Sequence, residues 1–283
     1  MTRLLRPALH VASAVLAAFG ALVAIQVLRL RRVTLLPGHP GFWISHHVRP
    51  RDGREEGARL QMVVFGDSTT VGVGVDTAEA SLPYRVAQLI ADARGRAVRV
   101  VSFGWAGARV ADLATDQVPR ARRPRRAGDP LSEAPLHRAD LVVVVVGAND
   151  ATRRTRPSRF RRSLRAALEM IGDEAPTASM VVAGIPRLRG ALPDLEPLIS
   201  LADAFGGPLR RIQRHEAERA GAAFADLARD VLPRLRGRID PADALSADRF
   251  HPGPQVYAAW AEVIAEALER VAHEAMAIPP ETG

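Results

Sequence analysis

The chain has 283 residues, of which 47% are hydrophobic and 25% charged, a balance typical of a folded globular protein that excludes wholesale disorder. It contains no cysteine, and all 39 basic residues are arginine, which excludes disulfides, thiolate nucleophiles, cysteine-ligated metals and Schiff-base lysines. The formal net charge is +8, but no nucleic-acid-binding motif accompanies it, so we predict no nucleic-acid partner.

The N-terminal segment is strongly apolar. Residues 7–28 form a stretch of 22 residues without Asp, Glu, Lys or Arg, and about 20 apolar residues are enough to cross a bilayer as a helix. The residues at its end, AIQVLRLRR, make a poor signal-peptidase site. We therefore predict that residues 1–32 are an uncleaved single-pass membrane anchor. A cleaved signal peptide, and hence a secreted protein, is the alternative. Arginines on both sides leave the orientation open.

The rest of the chain predicts a linker, one domain and a tail. Residues 33–59 are rich in proline, glycine and charge, which is typical of a linker. Short valine-rich runs then alternate with amphipathic helical patterns, which indicates a five-stranded parallel sheet in a three-layer α/β/α domain over residues 60–275. Residues 276–283 remain as a tail. The predicted strands are 60–66, 97–104, 139–147, 179–185 and 222–227.

Candidate functional residues follow three of these strands. Parallel α/β sheets bind ligands beyond the carboxyl ends of their strands. The first strand runs into a tight turn that would expose the Ser68 hydroxyl. The second is followed by Gly104 and Gly107, which allow a ligand to approach the backbone closely. The third is followed by Asn149, whose amide can donate to an oxyanion. Each feature alone is more typical of a turn or a helix cap.

A fourth motif lies near the C-terminus. Asp248 precedes His251 by three residues, a spacing that can bring the carboxylate to the imidazole Nδ1 and leave Nε2 free for a serine. Pro252 is well placed to begin the final helix. Alone, this motif is also compatible with a surface pair. Asp226 is a rival acid, but no histidine follows it at that spacing.

In this order, the four motifs resemble those of the SGNH (GDSL-type) hydrolase family of esterases and lipases, over residues 60–275. The resemblance implies a flavodoxin-like fold and a site that needs no metal or cofactor. It implies that Ser68 is the nucleophile, His251 the general base and Asp248 the residue that orients it. The backbone N–H groups of Ser68 and Gly107 and the side chain of Asn149 would form the oxyanion hole.

Two positions depart from the usual pattern of the family, and the pattern also decides between two candidate glycines for the oxyanion hole. Thr69 and Ser102 stand where leucine and asparagine are common, and we expect Ser102 to alter the hydrogen bonding behind the site. Gly107 is preferred to Gly104 because it falls where the oxyanion-hole glycine of the family does.

The resemblance implies hydrolysis of a carboxylic ester, with an acyl, acetyl or lipid substrate. An acyltransferase that uses the same acyl-enzyme and a non-catalytic, membrane-tethered binding protein of this fold are the alternatives. Arg153, Arg154 and Arg187 follow strand ends on the predicted catalytic side and are candidate ligands for an anionic head group, as are Arg156, Arg159 and Arg189. A solvated basic face is the alternative. The sequence carries no signal for an oligomeric state.

Overall fold

A computed structural model describes residues 2–32, 35–122, 136–187, 196–240 and 243–277. Its centre is a six-stranded sheet with the order β1-β3-β2-β4-β5-β6. Five neighbouring strands, β2 to β6, are parallel, and β1 is antiparallel to β3 at the edge. The strands are β1 (Ser45–Val48), β2 (Leu60–Gly66), β3 (Val98–Ser102), β4 (Leu141–Val145), β5 (Ser179–Ala183) and β6 (Ala223–Ala225).

Helices cover both faces of the sheet. They are α1 (Thr2–Arg32), α2 (Leu82–Arg94), α3 (Val110–Asp112), α4 (Val118–Arg122), α5 (Ala148–Thr152), α6 (Pro157–Glu174), α7 (Leu198–Arg219), α8 (Leu227–Leu235) and α9 (Pro254–Ala277). A π-helical turn, Leu113–Gln117, joins α3 to α4. Two buried clusters result: one joins α2, α8 and α9 to the sheet, and the other joins α3, α4, α6 and α7 to its opposite face.

The valine-rich runs explain this three-layer arrangement. Along β2, Met62 and Val64 belong to one buried cluster, whereas Val63 and Phe65 belong to the other. All five residues of β4 are buried as well. A strand covered on both faces needs apolar residues at every position, which is why these strands appear as continuous apolar runs in the sequence. The predicted α/β class and the parallel strands are confirmed.

The sheet has six strands rather than the five predicted. The additional strand, β1, comes from residues of the predicted linker and pairs with β3, from Ser45 opposite Val101 to Val48 opposite Val98. Its sequence, SHHV, contains no apolar run, because an edge strand of four residues pairs on one side and stays partly exposed.

The prediction of a transmembrane anchor over residues 7–28 is not supported. Residues 2–32 do form one helix, α1, but no helix in the part of the chain that the structure describes is long and apolar enough to cross a membrane. The side chain of Gln26 is buried against the domain. Its Nε2 donates to the carbonyl of Glu196, and its Oε1 accepts from the N–H of Leu198 at the start of α7. The cellular location stays a prediction.

Candidate active site

Ser68 lies in the turn that follows the central strand β2. A short 3-10 helix, Ser68–Thr70, begins there, and Asp67 caps it: its Oδ1 accepts from Thr69 N at 3.1 Å and from Thr69 Oγ1 at 2.9 Å. The turn requires glycine at position 66, because a Cβ there would collide with the carbonyl oxygen of Val145. Asp67 and Thr69 are buried, whereas Ser68 is partly exposed and therefore accessible to a ligand.

Asp67 is a buried carboxyl beside the nucleophile candidate. Burial raises its pKa, and the two hydrogen bonds from Thr69 offset part of that shift. The electrostatic interaction with His251 also lowers the pKa of Asp67. Asp67 thus acts as the cap of the turn rather than as a free surface charge.

Asp248 and His251 form a direct side-chain contact. The distance between His251 Nδ1 and Asp248 Oδ2 is 2.6 Å. The other carboxylate oxygen, Oδ1, accepts from three donors of the same loop: Ser246 Oγ at 2.8 Å, Phe250 N at 3.0 Å and His251 N at 2.9 Å. The three-residue spacing therefore brings the carboxylate to the imidazole, as the sequence predicts. This pairing fixes the orientation of the ring and directs Nε2 away from Asp248.

The hydrogen bonds decide the ionisation of Asp248. Burial raises the pKa of this carboxyl, but the donors on His251, Leu36 and Phe250 outweigh burial and hold the pKa well below its ordinary value. Asp248 is consequently a carboxylate over the whole neutral range, as a residue that stabilises an imidazolium must be.

Asn149 lies in α5, directly after β4. Its Nδ2 donates to the carbonyl of Ala108 at 3.0 Å, which joins α5 to the loop that carries Gly107. The neighbouring carboxylate of Asp150 strengthens this junction by accepting from Val110 N at 2.9 Å. One hydrogen of the Asn149 amide is used in this contact, so the second remains available for a ligand.

Glycine is required at positions 104 and 107, after β3, for different structural reasons. At Gly104, a Cβ would overlap the Thr70 hydroxyl and approach the carbonyl of Gly66, so this glycine lets the loop pack against the turn that carries Ser68. At Gly107, a Cβ would meet nothing, and the requirement for glycine is the positive φ of 87°. Packing therefore explains Gly104, whereas Gly107 turns the backbone.

Ser68, Asn149 and His251 line one cavity of about 590 Å³. Its remaining wall is mostly apolar and comes from the residues after β5, from α7, α8 and α9, and from the segments between these helices. These apolar side chains include Ile185, Ile199, Leu227, Val231, Leu235, Ile239, Val256 and Trp260. A largely apolar cavity with a few polar groups at one end is typical of a small-molecule site.

The chain is similar to known proteins of one enzyme family. Residues 64–259 match the model of the GDSL-like lipase/acylhydrolase family. The chain belongs to this family. The predicted resemblance is thereby confirmed, and with it the prediction of a carboxylic ester hydrolase.

Among similar proteins, the GDSL-like esterase Rv1075c of Mycobacterium tuberculosis is 29% identical over 241 residues, which cover 80% of this chain and 67% of that protein. A lipase from a goat rumen metagenome, Lip_vut3, superposes with a TM-score of 0.56 at 19% identity, over 74% of this chain and 97% of the lipase. The acetylxylan esterase Axe2 of Geobacillus stearothermophilus gives 0.52 at 20% identity, over 75% and 95%. At these identities, the two structures show a shared fold.

The arginines predicted to lie beside the site differ in whether they line the cavity. Arg187 lines the cavity, but Arg153 and Arg154 do not, although both are exposed nearby. Arg154 instead stacks over the ring of Phe205, 5.2 Å from its centroid. The cavity wall also contains Arg236, which the sequence analysis missed, because it follows α8 rather than the end of a strand.

Three further predicted arginines and the rival acid remain. Arg156 and Arg159 are exposed at the start of α6, and Arg189 lies outside the described residues. Asp226 caps α8 by accepting from Arg229 N and pairs with Arg214. It is therefore engaged in structural contacts, in agreement with the preference for Asp248.

Proposed function

We propose that the chain hydrolyses carboxylic esters with Ser68 as nucleophile, His251 as general base and Asp248 as the residue that orients His251. The observation that carries this proposal is the 2.6 Å contact between Asp248 Oδ2 and His251 Nδ1 at a cavity that Ser68 and Asn149 also line. Acyl transfer through a serine uses a carboxylate, an imidazole and a hydroxyl that belong to one site.

The reaction follows from the roles of these groups. The Ser68 oxygen forms a bond to the carbonyl carbon while His251 Nε2 takes the hydroxyl proton, and the carbonyl electron pair moves to the oxygen. The oxyanion accepts from the backbone N–H groups of Ser68 and Gly107 and from Asn149 Nδ2. Collapse of the intermediate expels the alcohol, which receives the proton from His251. Water then attacks the acyl-enzyme with the same base, which releases the acid and restores Ser68.

The cavity wall favours an apolar acyl group longer than acetyl. Its volume of about 590 Å³ exceeds what a two-carbon group fills, and its walls are formed mainly by aliphatic side chains and Trp260. Each methylene moved from water into such a wall contributes about 0.8 kcal/mol, or about fourfold in kcat/KM. We therefore expect kcat/KM to rise along a series of p-nitrophenyl esters from acetate to octanoate, and a flat series contradicts the acyl-chain assignment.

A fluorophosphonate probe tests the nucleophile. The wild-type chain is expected to be labelled at Ser68, as located by peptide mass spectrometry, and Ser68→Ala is expected to be unlabelled and inactive while it unfolds at an unchanged temperature. Labelling at another serine, or undiminished activity of Ser68→Ala, refutes the proposal. Product analysis with and without glycerol separates hydrolysis from acyl transfer, because water and glycerol compete for one acyl-enzyme.

A further inference from the structure

The segment of residues 36–44, here called the N-terminal strap, lies between α1 and β1 along the chain and reaches the site. At its first residue, the backbone N–H of Leu36 donates to Asp248 Oδ2 at 3.1 Å, across 212 positions of sequence. This oxygen is the one that contacts His251 Nδ1. The strap therefore provides a donor to the carboxylate that orients the imidazole.

The strap next contacts the loop that carries the oxyanion-hole glycine. A Cβ at Gly38 would lie 3.1 Å from the Cβ of Ala106, which directly precedes Gly107. Farther on, the Phe42 ring packs against Gly72, in the chain that follows Ser68: a Cβ there would lie 2.8 Å from the ring.

The end of the strap is fixed to the sheet. The carbonyl of Ile44 accepts from Ser102 N at 3.0 Å, and Ile44 is buried in the core. The antiparallel pairing of β1 with β3 follows at once. One continuous stretch of backbone thus connects the sheet edge to the loops of Ser68, Gly107 and Asp248.

We propose that Leu36 is a positioning residue for the ester hydrolysis proposed above. Its backbone N–H holds the Asp248 carboxylate in the orientation in which it contacts His251. The donors to this carboxylate come from two different parts of the chain. The donors on Ser246, Phe250 and His251 belong to the loop of Asp248 and move with it. Among the described residues, Leu36 N is the one hydrogen-bond donor to this carboxylate from outside that loop.

Leu36→Pro tests this role, because proline has no N–H but retains an apolar side chain. Leu36→Ala is the matched control, since it removes the side chain and keeps the N–H. For Leu36→Pro we expect kcat toward a short soluble ester to fall by about 10- to 100-fold, the range for a lost hydrogen bond to a charged group, with KM little changed. Leu36→Ala should stay within about threefold of wild type, because it retains this bond.

One spectroscopic readout separates positioning from general damage to the fold. In the proton NMR spectrum, the downfield resonance of the His251 Nδ1 hydrogen should shift in Leu36→Pro and stay in place in Leu36→Ala.

Replacement of Leu36 by its α-hydroxy acid, which exchanges the N–H for an ester oxygen, makes the same test if the proline variant does not fold. An unchanged resonance without the N–H overturns the proposal, as do equal losses in the proline and alanine variants. A wild-type chain without esterase activity would refute the proposed function alone, because the NMR comparison still reports whether Leu36 positions Asp248.

Discussion

Replacing Asn149 by alanine tests the proposed oxyanion hole. The variant is expected to reduce the rate much more than the stability. The side-chain amide has two hydrogens, and one of them is donated to the carbonyl of Ala108 at 3.0 Å. The second is the proposed donor to the oxyanion. Asn149→Ala removes both, so it must slow the reaction and also weaken the junction between α5 and the Gly107 loop.

The two effects differ in size. Removing one oxyanion-hole donor raises the barrier by about 2.7–4 kcal/mol, or about 10²- to 10³-fold in kcat. Losing a neutral hydrogen bond to Ala108 costs about 0.5–1.5 kcal/mol of unfolding free energy, which lowers Tm by only a few degrees in a domain of this size. At 25 °C the variant should therefore be folded and slow, and the phosphonate probe should still find Ser68.

The assay is kcat with p-nitrophenyl butyrate, alongside thermal unfolding. Thr115→Ala is the matched control, because its hydroxyl donates to the carbonyl of Ala111 at 3.0 Å and the residue does not line the cavity. It should keep full activity and change stability little, because Thr115 is exposed. A loss in kcat below tenfold for Asn149→Ala, or an equal loss in the control, would show that Asn149 does not stabilise the oxyanion.

Three further outcomes are expected. The pKa of Asp248 is held low in the folded chain, so ionised Asp248 stabilises the fold above about pH 3.9, which is its pKa in the unfolded chain, and this stabilisation is lost as the pH falls toward the pKa in the folded chain. Between pH 5 and pH 2.5, Tm should therefore fall more in wild type than in Asp248→Asn, and an equal fall in both contradicts this prediction. Gly104→Ala should lower the free energy of unfolding, measured by chemical denaturation, by about 1–3 kcal/mol or more, because the added Cβ would overlap the buried Thr70 hydroxyl. Gly172→Ala, which places its Cβ in open space on α6, should leave this free energy unchanged or raise it. Arg187→Ala should raise KM for anionic esters at low salt and leave a neutral ester unaffected, and Arg153→Ala, outside the cavity, should change neither; equal losses on both esters would indicate damage to the fold.

The sheet could be predicted where both faces of a strand are buried. The predicted strand 60–66 coincides with β2, because all of its residues except Gln61 are buried and the run ends at the glycine that the turn requires. The same criterion missed β1, whose residues Ser45 to Val48 include two histidines and are buried on one side at most. Apolar runs thus predict the interior of a sheet better than its edge.

Local spacing predicted the parts of the site that are local. Asp248 and His251 are three residues apart, and their contact follows from one turn of backbone. The acyl-binding wall and Arg236 are different, because α7, α8 and α9 meet at the cavity only in the folded chain. No spacing in the sequence indicates which of their apolar side chains leave space for a substrate and which fill the core.

The N-terminal strap shows a limit of another kind. Leu36 acts through its backbone N–H, which every residue except proline has, so its side-chain type carries no signal for the role. The proline and glycine content that makes residues 33–59 resemble a linker is compatible with a strap as well, since both need an extended chain with sharp turns. A domain boundary drawn from hydrophobic periodicity falls near residue 60, after the strap. A chain that began there would keep Ser68, Asn149, Asp248 and His251 but lose the outside donor to the carboxylate, and it would also lose the buried core side chains of Ile44 and Val48. The residues before position 60 therefore contribute to the core as well as to the alignment of the site.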